Sequence, residues 1–243
     1  MPLLVGAGLL GGAMNAVAGG GSFVTFPALV FAGLPPVAAN ATSTVALLPG
    51  TIASAWVYRS GLSGIGGLSP RVLLPITLAG GLLGAILLLL APSTIFDAVI
   101  PWLLLLATLV FAGGRDLAQR LSRHVRIGKA QMLIAQFLIS VYGGYFGGAV
   151  GLMMMAVWSL FDNADLKAMA PARTVLISAA NTTAVLCFVV AGAVHWAEML
   201  TMLASVVAGG YLGARGAMLL PARLLRGFVV VLCASVTVYF FRR

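Results

Sequence analysis

Two apolar stretches of about 31 residues each, Leu3–Gly33 and Ala130–Phe161, constrain this chain more than anything else in it. A helix that crosses a bilayer needs about 20 apolar residues at a rise of about 1.5 Å each. Each stretch is therefore too long for one crossing and too short for two complete ones. Both are interrupted near the middle by glycine: Gly19-Gly20-Gly21 in the first, Gly143-Gly144 through Gly151 in the second. We read each as a pair of half-helices meeting at an irregular break. Inside a membrane such breaks are tolerated only where they line a cavity or are buried in protein.

Six further segments have the length of a single crossing: Val37–Tyr58, Pro70–Ala91, Thr94–Ala112, Lys167–Ala191, Trp196–Leu220 and Pro221–Phe241. Only 8 % of the 243 residues are charged and 61 % are hydrophobic, against roughly 25 % charged in a soluble domain. That composition excludes an ordinary soluble domain, a disordered chain and a disulfide-stapled module. Runs such as Leu82–Ala91 and Pro101–Ala112 do not alternate apolar with polar residues, which argues against a membrane barrel. The fold class is all-α integral membrane protein. The net charge of +9 is spread thinly between apolar runs, the distribution of topology-setting charges and not of a nucleic-acid footprint. Cys187 and Cys233 lie in apolar segments and read as small hydrophobes. The apolar N-terminus reads as the first membrane element, not as a cleavable signal.

The most hydrophilic stretch, Gly113–Lys129, cuts the chain nearly in half, and the halves resemble each other. Gly80-Gly81-Leu82-Leu83-Gly84 matches Gly209-Gly210-Tyr211-Leu212-Gly213 at an offset of 129; Gly21 matches Gly151 at 130, and Gly61 matches Gly192 at 131. The expected organisation is a first transmembrane repeat (1–113), a basic cytoplasmic linker (114–129) and a second repeat (130–243). With each broken stretch a re-entrant hairpin and the linker inside, twelve basic residues lie in the cytoplasm and two, Arg242 and Arg243, outside. With full crossings the split is nine to five. The positive-inside rule prefers the hairpins. Each repeat then has three spanning helices, an odd number, so the repeats are inverted. Internal repeats with discontinuous helices are the build of secondary transporters.

Polar residues gather at the two breaks and at the start of the helix after each. Asn15, Ser22, Thr25, Asn40, Thr42, Ser43 and Thr44 lie in the first half; Tyr142, Tyr145, Arg173, Thr174, Ser178, Asn181, Thr182 and Thr183 lie in the second. Ser and Thr often bond their own helix carbonyls, so Thr182 and Thr183 have a purely structural reading too. Arg173 sits in an apolar helix, where charge is costly unless paired or wet. Either it forms a salt bridge, to Asp162 or Asp165, or it is the counter-charge of an anionic substrate. A guanidinium fork suits carboxylate, sulfonate or phosphate, and half-helix N-termini add backbone N–H groups. Glycines four apart (Gly143, Gly147 and Gly151; Gly80 and Gly84; Gly209 and Gly213) also make flat faces for close helix packing.

The segments Gly19–Leu29 and Gly33–Ser43 resemble the opening signature of the TauE/SafE family. Gly143–Gly151, Ala168–Thr174 and Gly192–Trp196 resemble its counterpart in the second repeat. The resemblance runs from about Gly6 to Tyr239. It implies a membrane exporter of sulfite or organosulfonates, with related members moving thiosulfate or sulfoacetate. The sulfur chemistry comes from this resemblance; composition and spacing point only to an anion. This chain departs from the family pattern at Ala149–Gly151, where members often carry more glycine. It departs from its own first repeat at Pro171 and Arg173.

The expected function is a secondary transporter exporting a small sulfur anion across the cell (inner) membrane by alternating access. The anion would lie near the midplane between the repeats, and the chain would not be an enzyme. The candidate binding residues are Gly20, Gly21, Ser22, Thr25, Asn40, Thr42, Ser43, Tyr145, Gly151, Arg173, Thr174 and Asn181. The partners are the anion, the lipid bilayer and, at most, a second copy in a homodimer. Nucleic acid is not among them, and neither a cofactor nor a metal is called for. Two other classes stand beside this one. A structural or assembly membrane protein would explain the glycine faces but not the polar breaks. An intramembrane serine protease would need a histidine within reach of Ser22.

Overall fold

The computed structural model describes residues 1–18, 20–62, 64, 65, 67–114, 117, 120–122, 124–161, 166–217 and 222–242, without the side chains of 16–18, 166–168, 213–217, 222–226, 228 and 229. These residues form ten α-helices: α1 (Pro2–Ala18), α2 (Ser22–Phe31), α3 (Pro36–Tyr58), α4 (Pro70–Leu90), α5 (Ser93–Leu109), α6 (Lys129–Tyr145), α7 (Val150–Phe161), α8 (Leu166–Val190), α9 (Trp196–Ala217) and α10 (Ala222–Arg242). A π-turn, Val110–Gly114, extends α5. The starts of α3 and α4 follow a local rule: proline at the first helical turn has φ already set and has no N–H to orphan.

The helix boundaries match the apolar segments. Each long stretch is two helices, with Gly20 and Gly21 outside them in the first and residues 146–149 in the second. Among the described residues, Pro70–Leu90, Ser93–Gly114 and Met169–Val190 are long and apolar enough to cross a bilayer. The 23-residue α3 has the length of a crossing, but its first half is diluted by Asn40 and the run Thr42-Ser43-Thr44.

Both broken stretches fold back on themselves. In the first, a Cβ at Gly11 of α1 would meet Thr25 Cγ2 and the Gly21 carbonyl of α2. In the second, a Cβ at Gly143 of α6 would meet Val150 of α7, and the Ile127 N–H donates to the Leu160 carbonyl at 3.2 Å. The chain entering α6 and the chain leaving α7 are thus on one face, the face of the linker. The helices that follow, α3 and α8, run antiparallel. Gly61, just past α3, meets Pro171 near the start of α8, and the His195 N–H past α8 donates to Thr42 Oγ1 near the start of α3 at 3.1 Å.

The halves pack by exchange: α1 lies on α9 and α4 on α6, α9 also meets α3 and α4 meets α8, and α3 meets α8 as α5 meets α10. Lipid gives helices little hydrophobic reason to associate, so close van der Waals packing carries these contacts. Glycine makes the approach close enough: Gly8 faces Ser205 across α1–α9, and Gly80 faces Ser140 across α4–α6. Thr108 of α5 and Thr237 of α10, equivalent at an offset of 129, bring their hydroxyls to 3.0 Å from each other.

The interior has two cores. One is aromatic and packs around the breaks, with Phe23, Phe26, Phe96, Phe146 and Phe240 buried together. Phe26 stacks on Phe240 and meets Phe96 and Phe146 edge-on. The other lies toward the linker, around Trp158, Met132, Met154, Met169 and Leu73. There the Trp158 indole donates to Gln136 Oε1 at 3.0 Å and Gln136 Nε2 donates to Thr77 Oγ1 at 2.9 Å. That chain of hydrogen bonds joins α7, α6 and α4 through a fully buried amide.

Candidate functional site

The polar candidates fall into two clusters, each made where a hairpin leans on the helix after it. In the first, Thr25 of α2 donates to the Gly21 carbonyl at 3.1 Å, and its oxygen lies 2.6 Å from Ser43 Oγ of α3. Both hydroxyls are fully buried. Because Thr25 spends its proton on Gly21, Ser43 donates to Thr25. Gly20 and Gly21 are buried at the break itself. The π-turn places the Phe111 ring against Gly20, so a Cβ there would fall 2.9 Å from Phe111 Cζ.

In the second cluster the stem of Arg173 lies across the start of α7. A Cβ on Gly151 would come within 3.1 Å of Arg173 Cδ and 2.8 Å of Ile177 Cδ1. The guanidinium Nη1 donates to Met155 Sδ at 3.2 Å, and the buried Nε has no partner. A thioether is a weak acceptor for so strong a donor. Among the described residues no ion pair reaches Arg173. Asp162 and Asp165, the alternative partners, lie outside the described residues. The break before α7 is strained: Gly147 has φ +85° and Ala149 has φ +60°, a left-handed conformation that costs an L-residue roughly 1–2 kcal/mol.

Asn40 links the halves. Its Nδ2 donates to the carbonyl of Tyr145, the last residue of α6, at 3.0 Å, while its buried Oδ1 has no donor. The Tyr145 ring packs edge-on to Phe96. Thr42 is committed to the His195 N–H, and Thr174 bonds the Ala170 carbonyl of its own helix at 2.9 Å. Ser22 opens α2, half-buried. Asn181 lies two turns beyond Arg173 on α8, and no hydrogen bond joins it to either cluster. Thr182 and Thr183 take the structural reading and bond carbonyls of their own helix.

The twelve candidates therefore do not converge on one point. Gly20, Gly21, Thr25 and Ser43 gather in one cluster, Gly151 and Arg173 in the other, with Asn40 and Tyr145 tying the second break to α3. Two residues were missed. Met155, the hydrogen-bond partner of the guanidinium among the described residues, hides in the apolar run Leu152–Val157, but the 130-residue offset that pairs Gly21 with Gly151 also pairs Thr25 with Met155. Gln136 carries no signal of its role, because its partners are distant in sequence. A cavity of about 200 Å³ lies nearby, between the starts of α4 and α8, lined by Leu62, Pro70, Arg71, Ala172, Val175 and Leu176. These residues occupy a different face of α8 from Arg173.

Apolar helices with interior breaks, lined by buried hydroxyls, an amide and a guanidinium, define a helical membrane protein with a polar interior. The chain belongs to the sulfite exporter TauE/SafE family, whose family model matches residues 4–240. The family is one of membrane transporters. The chain is 28% identical over 238 residues to a probable membrane transporter protein, YfcA, of Escherichia coli strain K12, covering 96% of this chain and 88% of the relative. It is 29% identical over 243 residues to a probable membrane transporter protein of Haemophilus influenzae, covering 98% and 92%. It is 28% identical over 235 residues to a probable membrane transporter protein, ORF9, of a Sinorhizobium species, covering 96% and 88%. No solved structure matches the chain.

Proposed function

We propose that the chain is a secondary transporter that exports small sulfur-containing anions (sulfite, thiosulfate or an organosulfonate such as sulfoacetate) across the cell membrane by alternating access. The observation that carries the reading is Arg173. Its guanidinium is half-buried over a break between two membrane helices, with a thioether as its one acceptor among the described residues and a buried Nε left without any. A charge in that place is expensive unless something pairs with it, and an oxyanion suits the planar fork. The TauE/SafE family model, described as that of a sulfite exporter, supports a sulfur anion as the substrate.

Two features support alternating access. The helix contacts recur with the halves exchanged, and Thr108 meets its own counterpart, Thr237, as residues astride a two-fold axis do. The equivalent helices α3 and α8 run antiparallel, which supports inverted repeats. With the linker in the cytoplasm, each repeat places three helices across the inner membrane and one hairpin within it. A cell negative inside favours anion efflux by about 2.3 kcal/mol per charge per 100 mV, a driving force in the direction of export.

The test is flux in proteoliposomes of the purified protein, comparing sulfite, thiosulfate and sulfoacetate with phosphate and chloride. The expected result is saturable, potential-sensitive movement of a sulfur anion that Arg173→Gln abolishes. Flux that survives the substitution would return Arg173 to a structural role. No flux of any sulfur anion from folded protein would end the transporter reading. Against the serine-protease alternative, no hydrogen bond joins Ser22 to a histidine, and the rings of His124 and His195 are exposed.

A further inference from the structure

The two polar clusters are one piece of architecture with different contents. Shifting the first by 130 residues places Gly21 on Gly151, Thr25 on Met155 and Ser43 on Arg173. The contact inside each cluster spans the same 18 residues of chain: Thr25 to Ser43 at 2.6 Å and Met155 to Arg173 at 3.2 Å. The surroundings correspond as well. Leu47 lies against Gly21 as Ile177, its equivalent, lies against Gly151.

The chemistry of the two is opposite. The first cluster is closed: two hydroxyls, each fully buried, each with its proton placed. The second is open. A guanidinium offers five donors; here one goes to a thioether and the buried Nε goes unused. Charge-assisted hydrogen bonds to an oxyanion are roughly twice as strong as neutral ones, so an arriving anion displaces the Met155 sulfur readily.

The face that each cluster lies toward separates them further. Arg173 stands seven residues inside α8, which starts at Leu166, about 10 Å of helix rise from that end. The other end, Val190, is about 26 Å away. The start of α8 follows α7, whose last turn is bonded to the residue before Gly128, so this is the linker's face. Ser43 is likewise seven residues inside α3, but from the opposite face.

We infer that the transported anion is held by the second cluster alone, in the place of the Met155 thioether, and that in this conformation it is reached from the linker's face. The first cluster is the sealed counterpart, present because the repeat was duplicated and carrying no substrate. The inference rests on the transporter reading above. It assigns Met155 to the substrate's first contacts and removes Thr25 and Ser43 from them. One half-site in two is charged, so one anion binds per carrier.

Two measurements on the full-length chain in vesicles of known orientation test it. The first is KM for whichever sulfur anion the native chain carries. Arg173→Lys, which keeps charge but loses the fork, is expected to raise KM about tenfold or more, the equivalent of one or two charged hydrogen bonds. Thr25→Val and Ser43→Ala are expected to leave KM within about twofold. The second is modification of Met155→Cys, with Cys187 and Cys233 replaced by Ala, by the impermeant reagent sulfonatoethyl methanethiosulfonate. Modification is expected to be faster from the linker's face by about tenfold, with Thr25→Cys unmodified from either. A KM change for Ser43→Ala as large as for Arg173→Lys would overturn the inference. So would modification of Met155→Cys at equal or greater rate from the opposite face. If the native chain carries no sulfur anion, the transporter reading itself falls, and the sidedness of labelling still reports which cluster is open.

Discussion

Replacing Gly80 by alanine puts one methyl group into a close contact between the two halves of the fold. A Cβ at Gly80 of α4 would stand 2.6 Å from Ser140 Cβ and 2.8 Å from the Phe137 carbonyl oxygen of α6. Carbon atoms pack at about 3.5–4.0 Å, so the two helices must part by about 1 Å. A gap of that size forfeits a quarter to a half of each contact's dispersion energy, and overpacking of this sort costs about 1–3 kcal/mol. Alanine returns up to about 1 kcal/mol of helix propensity. The net expectation is a loss of about 1–2 kcal/mol, seen as a fall of about 2–8 °C in the midpoint of thermal unfolding in detergent. Gly6→Ala in α1 is the control, because nothing lies within 4 Å of its Cβ; its midpoint should stay or rise. The double variant Gly80→Ala/Ser140→Gly removes the nearer of the two obstructing atoms but leaves the Phe137 carbonyl oxygen and adds a helix-interior glycine, so it should recover only a part of the loss. An unfolding midpoint for Gly80→Ala at or above the native value would refute the close approach of α4 and α6. Gly8→Ala repeats the test at α1–α9, where Ser205 Cβ would lie at 2.6 Å.

Ala149→Gly should stabilise the fold by about 1 kcal/mol, because glycine holds φ +60° without the Cβ penalty; a lower unfolding midpoint would count against strain at the second break. Gln136→Leu should cost about 1–3 kcal/mol, since the Trp158 indole N–H is left buried without its acceptor; the check is whether Trp158→Phe, made first, removes most of that loss. Thr108→Val with Thr237→Val should show a coupling near 0.6 kcal/mol, about the average for a membrane interhelical hydrogen bond. Each hydroxyl also bonds a carbonyl of its own helix, and a coupling above about 2 kcal/mol would contradict that sharing. Phe26→Ala should be the most damaging of these changes, at about 3–5 kcal/mol, because the ring is fully buried among Phe96, Phe146 and Phe240.

What was legible in the sequence is what local chemistry governs. Apolar length sets where helices begin and end, and the segments Pro70–Ala91 and Trp196–Leu220 became α4 and α9 within a few residues. Glycine marks where a helix stops, and both long stretches broke where the glycines cluster. The offset near 130 pairs residues that hold corresponding places in the two halves, as Thr108 and Thr237 do. Charge counting favoured hairpins because topology follows the basic residues between segments, and both stretches fold back.

Which helix meets which was not legible, because apolar faces in lipid look alike and the choice is made by shape at distances set by both partners. Only the tertiary structure sends α1 to α9 and α4 to α6, and so turns Gly8 and Gly80 from helix-weakening residues into contact surfaces. The same holds for the polar groups. Thr25, Ser43 and Arg173 were visible as polar residues in apolar helices, yet one sequence pattern served two outcomes. Two hydroxyls meeting across a hairpin satisfy each other and close. A guanidinium meeting a thioether cannot, and stays open. That difference belongs to pairs of residues 18 positions apart in the chain, brought together only by the fold.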